Sequence, residues 1–280
     1  MNNLKTVGLL AFMSVLVALV VQTFSQGFVI PMLFVLGLNV LAFFFSDKLA
    51  LASTGARPVT EQELPEVYSI LRNLSMQAGM PMPSVHVIDS PQPNAFATGR
   101  SPKKAAVAVT TGILQTLNRD ELEGVLAHEL AHVGNRDILI SSVAAMMAAA
   151  LSLFARMAFW FGGSRNRDNP LSAIVGILSL ILAPFAAMLI RFAISRTREF
   201  QADETGATLT GRPMQLAYAL EKIAAGTERI PMSVNPATSQ LFIDNPLKAV
   251  RGQGISRLLS THPPTEERIE RLTAMAQGVR

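Results

Sequence analysis

The stretch VLAHELAHVG, at residues 125–134, places two of the chain's four histidines four positions apart, with a glutamate directly after the first. On a helix, residues four apart project from the same face, so His128 and His132 can offer imidazole nitrogens to one metal ion. Glu129 lies about 100° around the helix and can reach a water molecule on that ion. This H-E-x-x-H spacing is typical of zinc hydrolases, in which the glutamate acts as general base. A histidine pair buried in the core without a metal is the alternative.

A catalytic zinc site needs a third protein ligand besides two histidines. In SRTREFQADETGA, residues 195–207, Glu199 and Asp203 are four apart and share a helix face. We predict that Glu199 is the third ligand, whereas Asp203 is better placed to accept a hydrogen bond from a ligand imidazole and so fix its tautomer. The alternative is an ordinary helix start in which both acids pair with Arg196 and Arg198.

Composition indicates that much of the chain meets lipid. Half of the 280 residues are hydrophobic, 16% are charged and the mean hydropathy is +0.34, whereas a soluble domain is usually about 25% charged. The net charge of +4 could suggest nucleic acid, but the basic residues cluster beside apolar runs, as they do at the flanks of membrane spans. We therefore expect no nucleic acid partner. Cysteine is absent from the sequence, which excludes disulfides and thiolate ligands.

Four apolar runs have about the length of membrane-spanning helices. They cover residues 7–24, 28–45, 138–161 and 171–194. The short connections SQG and GGSRNRDN predict two transmembrane hairpins. For the second pair, a buried or interfacial hairpin is the alternative, since Arg156 interrupts it. An antiparallel second hairpin returns Glu199 to the membrane surface at which the H-E-x-x-H helix ends.

The remaining segments predict helices around a small sheet. TEQELPEVYSILRNLSMQAGMP predicts a helix capped by Thr60 and ended by Gly79. PSVHVIDS, NAFATGR and KAAVAVTTG have the composition of strands and predict a small mixed sheet. A helix capped by Asn118 carries the H-E-x-x-H motif, and further helices are predicted from Pro213 and after Thr265.

Several motifs in combination resemble one protein family. HELAH, a hydrophobic hairpin, REFQADETGA and THPPTEERIERL follow one another, with NAFATG upstream. This arrangement resembles the HtpX branch of the M48 metalloproteases over nearly the whole chain. The resemblance implies a multi-pass zinc endopeptidase of the bacterial inner membrane with one Zn²⁺ per chain, Glu129 as base and Glu199 as the third ligand. It also implies a catalytic domain that faces the cytoplasm and a role in the quality control of misfolded membrane proteins.

Two further sites are hypotheses. By the same resemblance, His262 lies over the active site, where its imidazole could stabilise an oxyanion or latch the open zinc position. A loop histidine without a role is the alternative. Asn94, Ala95, Phe96 and Ala97 could form an edge strand along which an extended substrate pairs its backbone, or they could be an ordinary hairpin strand.

Together these patterns predict a mainly helical α+β protein with four transmembrane helices and a gluzincin-like catalytic domain at the membrane surface. The predicted hairpins are residues 1–46 and 138–196, and the two parts of the catalytic domain are residues 47–137 and 197–280. Expected partners are membrane lipid and misfolded or membrane protein substrates. A membrane scaffold with a structural zinc is the rival, although a structural site needs no base such as Glu129. A metal transporter is disfavoured because all four histidines lie outside the predicted spans.

Basic residues predict the orientation of these spans. One side of the membrane is flanked by Lys5, Lys48, Arg57, Arg191, Arg196 and Arg198. The turn of the first hairpin contains neither Lys nor Arg, so both termini and the active site are predicted to be cytoplasmic. Arg165 and Arg167 in the second turn favour the opposite orientation.

Overall fold

The structure is a computed structural model of the chain and describes residues 44–144, 196–236, 238–250 and 263–278, with the isolated residues 8, 11, 37 and 40. Apart from those isolated residues and the helical ends at 44–45 and 138–144, the four predicted spans lie outside the described residues. Within the described part, no helix is both long and apolar enough to cross a membrane. The fold described below is therefore mainly that of the predicted catalytic domain.

Four strands form one sheet. They are β1 (Arg57–Pro58), β2 (Ser84–Ile88), β3 (Ala95–Gly99) and β4 (Ala105–Thr110). The spatial order is β1-β2-β4-β3, so β3 lies at an edge. β2 and β4 are parallel, whereas β1 and β3 pair antiparallel with their neighbours, which confirms the predicted mixed sheet. Alternating valines of β2 and β4 pack into the core, as strand periodicity requires.

Helices make up most of the described structure. They are α1 (Pro65–Gln77), α2 (Thr111–Thr116), α3 (Arg119–Gly134), α4 (Arg196–Thr210), α5 (Pro213–Arg229) and α6 (Thr265–Ala276). Residues 44–53 and 137–144 are also helical. The starts of α3, α5 and α6 confirm the predictions from Asn118, Pro213 and Thr265. The described part of the chain is thus a mainly helical α+β fold.

α1 begins four residues later than the sequence predicted, because its N-cap is Leu64 and not Thr60. Thr60 and Glu63 do contact each other, since the Thr60 N–H donates to the Glu63 carboxylate at 2.8 Å, but they close a turn before the helix. Leu64 precedes a proline, which disfavours helical backbone, and it adopts a φ of −132°. Pro65 then starts the helix, a position that proline favours. Gly79 follows the helix end with a φ of 62°, as predicted.

α3 is the central helix of the domain. Its start is fixed by a reciprocal cap, in which the Asn118 side chain accepts from the Glu121 N–H at 3.0 Å and the Glu121 carboxylate accepts from the Asn118 N–H at 2.9 Å. The helix packs against α1, α4, α5 and β3. Because neighbours cover it on several sides, Glu121, His128 and Glu129 are buried together with its apolar residues.

α4 crosses α3 at a glycine. A Cβ atom on Gly206 would lie 2.8 Å from the backbone nitrogen of His128, closer than side-chain carbons approach backbone in proteins. Ala202 and Ala207 on the same helix are also buried. These small residues let the two helices approach closely, and the side chains of α4 therefore reach those of α3.

Candidate active site

α3 and α4 face each other across a pocket with an empty volume of about 380 Å³. Ala97 in β3 also lines the pocket. A further part of the lining comes from residues 240–243, which belong to a stretch, residues 240–244, outside the α-helices and strands. This stretch is termed the wall segment. The ionisable side chains that line the pocket are His128, Glu129, His132, Asp137 and Glu199.

Three possible ligand atoms converge in this pocket. The His132 Nε2 atom lies 3.2 Å from His128 Nε2 and 3.4 Å from Glu199 Oε1. The His128 Nε2 atom lies 4.0 Å from Glu199 Oε2. One ligand atom from each residue lies within 4.8 Å of the other two, a spacing that one metal ion can bridge. The structure thus brings together the three residues predicted as ligands.

A carboxylate and a guanidinium support His128 at its other ring nitrogen. The Nδ1 atom lies 2.9 Å from Asp203 Oδ1. Arg268 donates two hydrogen bonds to the same carboxylate, from Nε at 2.8 Å and from Nη2 at 2.7 Å. Arg268 Nη2 also lies 3.4 Å from His128 Nδ1, but the carboxylate is closer and can only accept, so we assign the Nδ1 proton to the bond with Asp203. That tautomer directs the Nε2 lone pair into the pocket.

His132 has an analogous support with longer contacts. Its Nδ1 atom lies 3.2 Å from Asp137 Oδ2, and Arg198 Nη1 lies 3.5 Å from Asp137 Oδ1. Arg136 adopts a left-handed φ of 59° between the end of α3 and the helical residues 137–144. This turn brings Asp137 back against the histidine five positions earlier. The His132 side chain is 15% exposed, whereas that of His128 is 1% exposed.

The two imidazoles have opposite pKa shifts. Burial lowers the pKa of His128 to about 4, and Asp203 offsets this effect only in part. Burial acts in the same direction on His132, but Glu199 and Asp137 outweigh it and raise the pKa of His132 to about 9. Burial also disfavours the charge of Asp203, yet Arg268 and His128 lower its pKa to about 2. Asp203 is therefore ionised at physiological pH, and its carboxylate can accept a hydrogen bond from the Nδ1–H group of His128.

Glu129 is buried and borders the same pocket. Burial raises the pKa of Glu129 to about 7; His132 opposes this effect and Glu199 adds to it. The backbone N–H of Ala97 donates a hydrogen bond to the Glu129 carboxylate and so ties it to β3. A carboxyl group with a pKa near neutrality can both take and return a proton at physiological pH.

The wall segment runs beside the edge strand β3. Its contacts are Ile243 N–H to the Ala95 carbonyl at 2.9 Å, Asn94 Nδ2 to the Asp244 carbonyl at 2.8 Å, and edge-to-face packing of Phe242 on Phe96 with ring centroids 5.0 Å apart. Three of the four residues predicted to bind substrate therefore contact the wall segment. Ala97, the fourth, lines the pocket beside Glu129.

Sequence reasoning assigned no part in this site to three residues that the structure places there, Asp137, Arg198 and Arg268. Asp137 could have been found as an acid directly after the motif helix. Arg268 stands within the THPPTEERIERL motif, one turn before the buried Leu272, and a charge on the apolar face of a helix signals a buried partner. Arg198 contacts Asp137, whereas the alternative interpretation of the sequence paired it with the acids of its own helix. His262 lies outside the described residues, and its role stays a prediction.

The donor set fits a zinc ion. Two imidazole nitrogens and one carboxylate oxygen are a ligand set that catalytic zinc sites use, with a further position left open. Both Nδ1 atoms face carboxylates, so both Nε2 atoms face Glu199 and each other. Imidazoles oriented in this way by carboxylates are typical of zinc sites.

The fold and this site define a metalloprotease in which an H-E-x-x-H helix meets an acidic residue from a second helix. A family model described as peptidase family M48 matches residues 61–276, and the chain belongs to that family. It is similar to the Protease HtpX homolog of Thermodesulfovibrio yellowstonii, with 50% identity over 99% of both chains. It is also similar to the Protease HtpX homolog of Pelotomaculum thermopropionicum, with 48% identity over 99% of this chain and 100% of the other.

One solved structure has a similar fold. The crystal structure of S. mikatae Ste24p matches with a TM-score of 0.53 and 21% sequence identity. The match covers 95% of this chain and 62% of that chain. At this identity the similarity concerns the fold alone.

Proposed function

We propose that this metalloprotease is a zinc-dependent endopeptidase in which His128, His132 and Glu199 hold one zinc ion and Glu129 is the general base. The observation that carries the proposal is the convergence of three ligand atoms within 4.8 Å beside a buried carboxyl group. Membership of the M48 family supports a metal-dependent peptidase reaction. The choice of zinc rests on the chemistry of the donor set.

The chain's own residues would hold the ligands and move the proton. When bound, zinc supplies Lewis acidity for peptide-bond hydrolysis. Glu129 takes a proton from the attacking water at its carboxylate and passes it to the leaving nitrogen. The Ala97 N–H restricts the orientation of that carboxylate. Asp203 and Asp137 hold the two imidazoles at Nδ1.

We place the substrate along β3, next to Ala97. This residue lines the pocket and contacts the base, whereas Asn94, Ala95 and Phe96 shape the cleft by holding the wall segment.

For His262 we propose the role of oxyanion donor. His262→Ala is expected to lose turnover with unchanged zinc content, since the three ligands remain. A variant more active than wild type would instead identify a latch.

We further propose a multi-pass protein of the bacterial inner membrane with its catalytic domain in the cytoplasm, acting on misfolded or membrane proteins. The four apolar runs and the charge pattern support the domain boundaries at residues 46, 137 and 196. Phe44 and Phe45, at the end of the second run, and Leu49, just after it, are exposed on one helix, as expected beside lipid. Reporter fusions at Gly163 and at the C-terminus test the topology, and an external C-terminus contradicts it.

The assigned roles are tested by comparing two glutamates. Glu129→Gln is expected to keep near-stoichiometric zinc and to lose cleavage of an unfolded protein, because it removes the base and no ligand. Glu199→Gln is expected to lose both, because it removes one of three protein ligands. Glu204→Gln is the control, since Glu204 is exposed on the same helix as Glu199. Zinc is measured by elemental analysis after a mild chelator wash.

Three outcomes would contradict this assignment. A wild-type protein that holds zinc and never cleaves is a scaffold with a structural metal. If Glu129→Gln cleaves as well as wild type, the base is another group. If Glu199→Gln keeps its zinc while Asp203→Asn loses it, the two carboxylates have exchanged roles.

A further inference from the structure

Arg268 is a buried arginine whose three guanidinium nitrogens all donate hydrogen bonds. Its side chain is 2% exposed. The Nε and Nη2 atoms donate to the two oxygens of Asp203, and Nη1 donates to the backbone carbonyl of Ile243 at 3.1 Å. One side chain on α6 is therefore joined both to α4 and to the wall segment. The proposed reaction assigns no part to it.

The first branch of these contacts leads to the metal ligands. Asp203 lies between Arg268 and His128, and its two oxygens are held by a planar fork of donors. A carboxylate held at both oxygens cannot rotate without losing a hydrogen bond. The imidazole that donates to it is held in turn, with Nε2 directed at Glu199.

The second branch leads to the substrate side of the pocket. Ile243 accepts from Arg268 at its carbonyl and donates from its N–H to the Ala95 carbonyl of β3. Its peptide groups are thus held between α6 and the edge strand. Ile243 lines the pocket together with Glu129, so the position of this backbone sets the width of the cleft beside the base.

We infer that Arg268 is a positioning residue for the peptidase reaction, which fixes His128 through Asp203 and fixes the wall segment through Ile243. The inference rests on the proposed zinc site. Arginine is required at this place because only a planar group with several donors can serve two carboxylate oxygens and a carbonyl together. A lysine carries the same charge but a single donor atom.

The two branches predict different effects of two substitutions. Arg268→Gln is expected to weaken zinc binding about 10- to 100-fold, the usual effect of losing a residue that orients a ligand, and to raise KM about tenfold by freeing the wall segment. Arg268→Lys keeps a charge beside Asp203, so it is expected to recover zinc affinity in part while KM stays raised. Arg212→Gln is the control, because it removes an exposed arginine–aspartate pair of 2.7 Å.

A double-variant cycle separates positioning from simple charge compensation. In an Asp203→Asn background, adding Arg268→Gln should lower zinc affinity no further, because both act through one branch. KM should still rise about tenfold, because the Ile243 branch does not pass through Asp203. The double variant is neutral at both positions and leaves no buried charge unpaired, so it is expected to fold even where Arg268→Gln alone does not.

The measurements are zinc affinity by chelator competition and the kcat and KM for a fluorescently labelled unfolded protein, using the full chain in detergent. Wild-type zinc affinity in Arg268→Gln overturns the His128 branch. A KM in the double variant equal to that of Asp203→Asn overturns the wall-segment branch. A wild-type protein that binds no zinc overturns the proposed function itself, and this outcome is distinguishable because zinc affinity is measured without substrate.

Discussion

Two networks of the same composition support the two histidines, and they differ in how tightly they are built. They are His128–Asp203–Arg268, termed the His128 network, and His132–Asp137–Arg198, termed the His132 network. In the first, the aspartate lies 2.9 Å from the imidazole and accepts arginine hydrogen bonds of 2.7 and 2.8 Å. In the second, the corresponding contacts are 3.2 Å to the imidazole and 3.5 Å to the arginine.

The difference follows from the elements that supply the residues. The His128 network joins α3, α4 and α6 inside the protein, where water is excluded and charged hydrogen bonds are strong. The His132 network takes its aspartate from the first residue of the helical stretch 137–144, just after the turn that ends α3, and its imidazole is partly exposed. Both arginines thus come from a helix other than α3, but the aspartate comes from a distant helix only in the His128 network.

The largest expected difference between the networks concerns stability. Asp203→Ala leaves the Arg268 charge buried without its carboxylate and is expected to cost about 3–5 kcal/mol of unfolding free energy. Asp137→Ala disrupts longer contacts and is expected to cost no more than about 2 kcal/mol. Thermal unfolding in detergent with a chelator measures both. Equal losses would show that the distances do not reflect the strength of the two networks.

The next largest effect is a pH dependence of stability that arises from Glu129. This residue borders both networks, and its pKa in the folded protein is about 7, above the value of 4.5 in the unfolded chain. The folded state therefore binds the proton more tightly, and wild-type stability falls as pH rises from 4.5 to 7. Glu129→Gln removes this penalty. We expect it to be more stable than wild type by about 3 kcal/mol at pH 8, since one pKa unit corresponds to about 1.4 kcal/mol, and equally stable at pH 4.

This stability gain is measured by thermal unfolding at both pH values with a chelator present. An advantage of Glu129→Gln at pH 4 as large as at pH 8 would mean that it arises from packing and not from ionisation.

A smaller loss of stability is expected from a substitution at the point where α4 crosses α3, next to the His128 network. Gly206→Ala places a Cβ atom 2.8 Å from the His128 backbone nitrogen, and overpacking of this kind costs about 1–3 kcal/mol. Zinc affinity should fall as well, because α4 carries both Glu199 and Asp203. Thr205→Ala, at an exposed neighbouring position, is the control. Unfolding midpoints and chelator competition report the two effects, and a stabilised Gly206→Ala would contradict the close approach of the helices.

The smallest effect is a difference in proton release between the two imidazoles. Zinc binds neutral imidazole, and His132 has a pKa of about 9 whereas His128 has a pKa of about 4. At pH 8 zinc binding should therefore release close to one proton, from His132, and zinc affinity should rise about tenfold per pH unit up to pH 9. Calorimetry in buffers of different ionisation enthalpy measures this number. Asp137→Asn should reduce the release, and an unchanged value would place the proton elsewhere.

The sequence predicted what depends on local spacing. The capped motif helix, the i,i+4 pair of Glu199 and Asp203 and the strands of the sheet each follow from periodicity over a few residues. The start of α1 was predicted wrongly because Pro65 overrides a capping pattern that is present but closes a turn. Such competition between a cap and a proline is decided by backbone sterics.

Partners supplied by tertiary packing could not be predicted from spacing. Arg268 reaches Asp203 across 65 positions, and no periodicity relates the two residues. The wall segment begins in a short 3-10 helix, Ser239–Leu241, and continues without regular structure, so its alignment along β3 depends on individual contacts such as Ile243 with Ala95. β3 was predicted correctly as a strand, but its contacts with the wall segment have no sequence signal.

The order of the residues along the chain has a consequence for synthesis. The proposed metal ligands and the residues that support them begin at His128, continue through Glu199 and Asp203, and end with Arg268 on α6. A chain growing on the ribosome presents both histidines and the base well before the third proposed ligand, and it lacks the arginine until α6 emerges. On the roles proposed above, the ligands and the base are all present once α4 has emerged, but a nascent chain reaches its full affinity for zinc and substrate only when α6 has docked and brought Arg268 against Asp203.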